Sequence, residues 1–416
     1  LKLIKSCGRI VSLDVLRGIA VLGILIMNIQ SFSMPAAAYL NPTVYGDMTG
    51  WNKWVWILSH LLAHGKFLTI FSILFGAGII LFTSRAEARG KNSKVLHYRR
   101  MGWLLLFGLM HRYLLWSGDI LYAYSLCGML VFILRKLPPL RLLWLSFALY
   151  ILPVIAYIFA GLNLAALPEG YVELARSSWQ PGPRAIQDNI EVFRGPWIEQ
   201  VSFRLRESLS IQVKHLLFQR FWRVSALMLL GMALQKWGLL SATHSNKLYR
   251  RLAVIGISSG LLLTSLDIVF DFRTQWSMEY SRFIGSRLNY MGSLAMGLGY
   301  IGIVMLFCRM HSFERLKNLL AYVGKMAFSN YIMMSVIATF VFYGSGLGLF
   351  GKVERLGQMG FVLGIWILIV LISYLWLKLF RYGPIEALWR KLTYLNMVNG
   401  IPGGATGNRY SFRVLN

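Results

Sequence analysis

Residues 100–136 read RMGWLLLFGLMHRYLLWSGDILYAYSLCGMLVFILRK: two apolar runs between cations, joined through His111, Arg112 and Asp119. Neither run shows the two-residue alternation of a half-wet strand, and lipid offers no partner to an open sheet edge, so both are expected to be helical. A chain that leaves and returns to basic ends in this way has the form of a membrane hairpin. The rest of the sequence agrees. Of 416 residues, 56% are hydrophobic and only 14% are charged, against roughly 25% charged in ordinary soluble proteins, so the apolar surface cannot be hidden in water.

About ten such runs are long enough to cross a hydrocarbon layer roughly 30 Å thick, which takes about 20 helical residues. They lie near 13–32, 66–83, 101–116, 120–134, 140–162, 221–238, 252–270, 289–308, 319–343 and 359–379. The predicted fold is an all-α polytopic membrane bundle, one transmembrane domain over residues 1–416. The net charge of +27 comes from short clusters between the runs and not from one solvated face, which argues against a nucleic-acid partner. Most Lys and Arg fall in alternate connections, such as Arg85, Arg89, Lys91, Lys94, Arg99 and Arg100, or Lys247, Arg250 and Arg251. By the positive-inside rule those connections and both termini are expected to be cytoplasmic. Cys7, Cys127 and Cys308 are scattered and offer neither a disulfide framework nor a CxxC metal site; no metal is expected.

Residues 163–220 stand apart, because they carry acids, prolines and amphipathic pieces too polar to span. The alternation places this insert outside the cytoplasm, as a solvated cap or a lid over an outward-facing site. The first run has the basic start of a signal peptide, but Asp14 and Arg17 lie within it and it is long for a signal core, so a retained anchor is expected.

Ionisable groups inside apolar runs are functional candidates, since a charge at a helix centre costs about 2.5–3.5 kcal/mol on insertion scales. Asp14 and Arg17 are three apart and able to pair, and Asn28 returns near the same face. His111 and Asp119 flank a turn in which Gly118 permits reversal. If the carboxylate reaches the imidazole it selects one tautomer, the arrangement wanted for a general base or transient acyl acceptance; a buried structural histidine is the plainer alternative. Arg112 is expected to reach headgroups or to stack on Trp116. His60 and His64 are four apart, but with no acid visible nearby they are read first as a wet interfacial pair and only second as catalytic. GISSG at 256–260 and GLGYIG at 297–302 match enzymatic motifs literally, yet both sit inside spans, where small residues serve close helix packing. Ser329 and Asn330 are expected to bond between helices.

RIVSLDVLRGIAVLGILIMNIQSF, GKFLTIFSILFGAG, LLLFGLMHRYLLWSGDILYAYSLCG, VGKMAFSNYIMMSVIATFVFYGSGLGLFG and FRYGPIEALWRKLTY together resemble the YeiB family (DUF418 type) of bacterial inner-membrane proteins, over nearly the whole chain and in order. The resemblance covers Asp14, Arg17, Gly18, Asn28, Lys66, Phe67, Phe71, Gly76, His111, Trp116, Gly118, Asp119, Asn330, Tyr331, Gly383, Pro384 and Glu386. It implies a multi-pass protein of the bacterial inner membrane, with a distant relationship to transmembrane acyltransferases such as the lysosomal heparan-alpha-glucosaminide N-acetyltransferase. In that enzyme the acyl-carrying histidine precedes Trp-Asn-Gly; here SHLLAHGKF supplies histidines and a glycine without that tripeptide, which favours His111 over His60.

The function expected is acyl transfer across the membrane. A cytosolic acyl-CoA such as acetyl-CoA would be the donor and a small-molecule or glycan acceptor would meet it at the outer side. His111 and Asp119 would be catalytic, with Asp14, Arg17, Asn28, Lys66, Phe67, Trp116 and Asn330 binding substrate. The alternative is a transporter or flippase of a lipid-like or small organic substrate, with the same groups lining a pathway. Membrane lipids are expected partners, and a homodimer is left open.

Overall fold

Long apolar runs in lipid satisfy their backbone only by coiling, and every regular element among the described residues is helical. The structure is a computed structural model that describes residues 11–206 and 220–395. Six helical segments are long and apolar enough to cross a membrane. The first is α1 (Val11–Ser33), and a short α2 (Ala36–Leu40) follows it. The second, 50–87, joins α3 (Gly50–Leu62) to α4 (Lys66–Glu87). The others are α7 (Pro139–Leu162), α12 (Asn246–Arg273), a segment over 278–309 ending in α13 (Ser286–Arg309), and α16 (Arg355–Leu379). A seventh is reached if α14 (Glu314–Lys325) and α15 (Ala327–Phe342), bent by 79°, count as one span.

Length and composition thus support six or seven spans where about ten were expected. The runs at 101–116, 120–134 and 221–238 do become helical, as α5 (Ser93–Met110) with a π-helical turn at His111–Leu115, as α6 (Leu121–Val131), and as α11 (Phe221–Lys236). They are short or begin in polar sequence, and α11 is buried continuously from Val224 to Leu234 inside the bundle. The run expected at 319–343 is not one rod, because the chain leaves helical geometry at Met326. Several groups freed at that break are met by side chains. Asn330 Nδ2 donates to the Val323 carbonyl at 3.0 Å, and Glu386 Oε1 accepts the amides of Phe328 and Ser329 at 2.8 and 3.1 Å. Glu386 comes from α17 (Pro384–Tyr394), so a terminal helix caps the broken span.

Hydrogen bonds sort the connections into two ends. At one end Arg135 reaches Glu87, Arg309 reaches the carbonyls of Ala242 and His244, and Trp389 reaches that of Arg100. At the other, Arg355 gathers the carbonyls of Pro42, Tyr45 and Asp47. The insert lies at this second end, as α8 (Glu169–Trp179), α9 (Pro183–Arg194) and α10 (Trp197–Arg206), with Arg194 Nε bonded to the Phe350 carbonyl at 2.7 Å. Part of the expected insert, 207–219, falls outside the described residues.

Glycines set how closely the helices approach. A Cβ built on Gly18 of α1 would stand 2.1 Å from the Leu320 carbonyl oxygen, and one on Gly324 of α14 would stand 1.8 Å from that of Asp14. The contact is reciprocal, as it is between Gly76 of α4 and Gly231 of α11. The two motif-like stretches pack in the same way: Gly256 and Gly260 of α12 meet the backbone of α13, and Gly299 and Gly302 meet that of α12, so neither forms a strand-turn-helix site.

Gly324→Ala should cost about 3 kcal/mol through backbone overlap, read as a lowered Tm in detergent, whereas Gly364→Ala, with nothing within 4 Å, should leave Tm unchanged. Asp47, in the loop before α3, is held below its ordinary 3.8, first by the Asn52 amide and then by Thr49. A carboxyl depressed in the fold stabilises above its unfolded value and loses that contribution as pH falls through the folded one. The Tm gap between wild type and Asp47→Ala should therefore be present at pH 6 and close on acidification below about 3.8.

Candidate functional site

α5 ends at Met110 and its next five residues widen into the π-helical turn, closed by the Trp116 amide on the His111 carbonyl at 2.9 Å. Trp116 is then extended, and the chain reverses through Ser117 and Gly118 into α6. Gly118 is needed here for space: an added Cβ would lie 2.2 Å from the Trp116 indole. Asp119 starts the return helix, and its Oδ1 accepts the Tyr122 amide at 3.0 Å. That cap turns Oδ2 toward His111, whose Nδ1 lies 2.8 Å away. The expected pair therefore forms, with both side chains essentially sealed from solvent.

Against a carboxylate, which only accepts, a neutral imidazole donates from Nδ1 and keeps its lone pair on Nε2. Nε2 is buried and has no hydrogen-bond partner among the described residues. The imidazole packs beside Tyr331 at 5.2 Å and edge-on to Trp116 at 6.3 Å, and Trp116 stacks on Phe32 at 4.2 Å. Arg220 donates to the Asp119 carbonyl at 2.8 Å, a contact between residues 101 apart that no local pattern signals. Beyond the turn is a cleft of about 190 Å³, walled by Leu114, Leu115, Trp197, Thr339 and Tyr343; His111 is not among its walls. Arg112 does not stack on Trp116. It is buried, bonded to the Ser117 carbonyl and set over the Tyr122 ring, because the π-helical turn swings it toward α6.

The other candidates disperse. Asp14 and Arg17 form the expected ion pair at 2.9 Å, beside the α1–α14 crossing. Asn28 is 14 residues along the same helix, about 21 Å at 1.5 Å per residue, so it does not join them. Phe67 lies under Gly23 and stacks on Tyr300. Asn330 bonds the Val323 carbonyl and Ser373 on α16, which places it at the broken span. Lys66 is fully buried and spends its hydrogen bonds on the His60 carbonyl and Asn289 Oδ1, at 2.9 and 2.7 Å.

Lys66 thus belongs to a second centre that was not expected. His60 and His64 are no wet pair. His60 is 8% exposed and bonds Asp267 Oδ2 through Nε2 at 3.0 Å, while the two Nδ1 atoms face each other at 3.1 Å. Sequence reading missed the acid because it comes from α12, 207 residues away. Its signal was nonetheless present: Asp267 and Asp271 sit one turn apart near the end of an apolar 28-residue helix.

The residues from 234 to 396 match the family model described as Protein of unknown function (DUF418). The chain is 33% identical over 393 residues to "Uncharacterized protein YeiB" of Escherichia coli strain K12, covering 92% of this chain and 96% of that one. It is 31% identical over 402 residues to "Uncharacterized protein YxaH" of Bacillus subtilis strain 168, covering 93% and 95%. A 39.9 kDa protein of Bacillus acidopullulyticus is 26% identical over 389 residues. With its membrane-type helices and this likeness along nearly its full length, the chain belongs to the YeiB/DUF418 family.

Proposed function

We propose that the protein is a transmembrane acyltransferase with the His111–Asp119 pair as its reactive centre. The observation that carries this reading is the 2.8 Å bond from Nδ1 to the carboxylate, combined with a buried Nε2 that has no hydrogen-bond partner among the described residues. An acceptor hydroxyl or amine would give its proton to Nε2 as it attacks the thioester carbonyl of an acyl-CoA. Asp119 would stabilise the imidazolium, which then returns the proton to the departing thiolate. The cations clustered at the end opposite the insert would suit the phosphates of CoA, and the positive-inside rule accounts for the same clusters. The Asp14–Arg17 pair, in the first turns of α1, would meet an acyl donor entering from that end.

Transport of a lipid-like or small organic substrate is the second reading, favoured by the second centre, since histidines, an acid and a lysine buried among spans are typical of permeation paths. Purified protein given labelled acetyl-CoA discriminates. Acyl product or acyl-enzyme should form, and His111→Ala and Asp119→Asn should each lower the rate by about 10²- to 10⁴-fold. Absence of CoA binding, acyl-enzyme and product, with counterflow of a solute in proteoliposomes, would establish transport instead.

A further inference from the structure

The hydrogen bonds of the second centre are all met by one assignment of its protons. An ammonium only donates, so the Asn289 atom 2.7 Å from Lys66 Nζ is the oxygen. The Asn289 NH2 then faces His64 Nδ1 at 3.1 Å, and a ring nitrogen receiving an amide hydrogen carries none of its own. His60 Nδ1, also 3.1 Å from that atom, is therefore the donor. With Nδ1 protonated, the neutral His60 ring offers Nε2 as a lone pair to Asp267 Oδ2, 3.0 Å away, and the carboxyl must supply the proton. The alternative, imidazolium against carboxylate, would leave Asp267 Oδ1 as a buried charged oxygen with no hydrogen-bond partner among the described residues.

We propose that Asp267 is a proton-loading site within the spans, connected to solvent through His60 and His64. The ligand is the proton itself, exchanged with water. In release, Asp267 Oδ2–H passes to His60 Nε2, His60 Nδ1–H passes to His64 Nδ1, and His64 Nε2–H goes to a water molecule. Asp267 becomes a carboxylate, both rings end neutral in their other tautomers, and one hydronium leaves. Exposure follows the same direction: Asp267 is 1% exposed and His60 8%, while His64 is only half-buried. Lys66 and Asn289 select the loaded state, because the Asn289 amide must let go of His64 Nδ1 before that atom can take a proton.

Charged and titratable neighbours come from every adjoining helix. Tyr39 of α2 stands edge-on to His64, and Trp56 of α3 covers His60. Arg223 of α11 bonds the Gly65 carbonyl and lies over Tyr290 of α13. Arg287 of α13 lies over Tyr157 and Tyr290, and Asp271 is one turn from Asp267. The charges of Lys66 and Arg287 reach Asp267, so a carboxylate formed there has cations near it.

Infrared and nitrogen-15 histidine spectra of the protein in nanodiscs test this. At neutral pH the native protein should show a protonated carboxyl C=O band and a His60 ring protonated at Nδ1. The band should vanish in Asp267→Asn, whose amide imitates the loaded acid and keeps the bond to His60, and should persist in Asp271→Asn. After an alkaline pH jump the band should decay, and His64→Phe should slow that decay by about tenfold or more. An imidazolium at His60 with no carboxyl band in the native protein would overturn the loading site, as would loss of the band in Asp271→Asn alone. An unchanged decay in His64→Phe would overturn the relay. The native spectra decide the first point even where a variant does not fold. The two centres share no residue, so failure here leaves the His111–Asp119 reading standing, and the converse holds.

Discussion

Glycine-mediated contact between helix backbones is the constraint on which the other features of this bundle rest. In lipid there is no hydrophobic force pressing one apolar helix on another, so association depends on how closely the backbones can come. At the α1–α14 and α4–α11 crossings each glycine stands against a carbonyl of the opposite helix, leaving no room for a methyl group on either side. These contacts fix α4 against α11, and through α4 the start of the segment that carries Lys66; they also fix α14 against the Asp14 turn of α1. The polar centres are then assembled by helices whose spacing is already set.

Each centre solves the problem of a polar group in an apolar medium differently. Asp119 meets it locally, with one oxygen on a helix amide and the other on an imidazole. Asp267 meets it over long range, through a chain that begins at a buried ammonium and draws on four helices, α4, α13, α3 and α12. The broken span uses a third device, in which the carboxylate of Glu386 takes the amides at the start of α15, where the helix dipole favours a negative charge. None of the three leaves an isolated charge against lipid.

What the sequence revealed divides along the same line. The helical class and the His111–Asp119 contact were legible because each depends on residues near one another in the chain; the two members of the pair are only eight apart. The packing role of the small-residue stretches was also legible, since an enzymatic turn has no place inside an apolar run. The acid for His60 was not, because nothing local relates position 60 to position 267. The π-helical turn was hidden for another reason: apolar periodicity does not distinguish a wide turn from an ordinary one, and only the caps around Asp119 show why the coil opens there. The bend at Met326 shows equally little in composition, since its compensating groups, Asn330 and Glu386, lie on either side of the break.

The π-helical turn leaves backbone carbonyls that its own coil does not use, and the insert takes them. Trp197 Nε1 donates to the Leu114 carbonyl at 2.8 Å, and Arg204 Nε donates to that of Tyr113 at the same distance. Both donors sit on α10, and the two acceptors follow His111 by two and three residues. The cap is thereby latched to the segment that orients the imidazole. Any excursion of α10 must either release these two carbonyls or drag the coil with it, so the state of the cap and the aim of His111 are mechanically one variable.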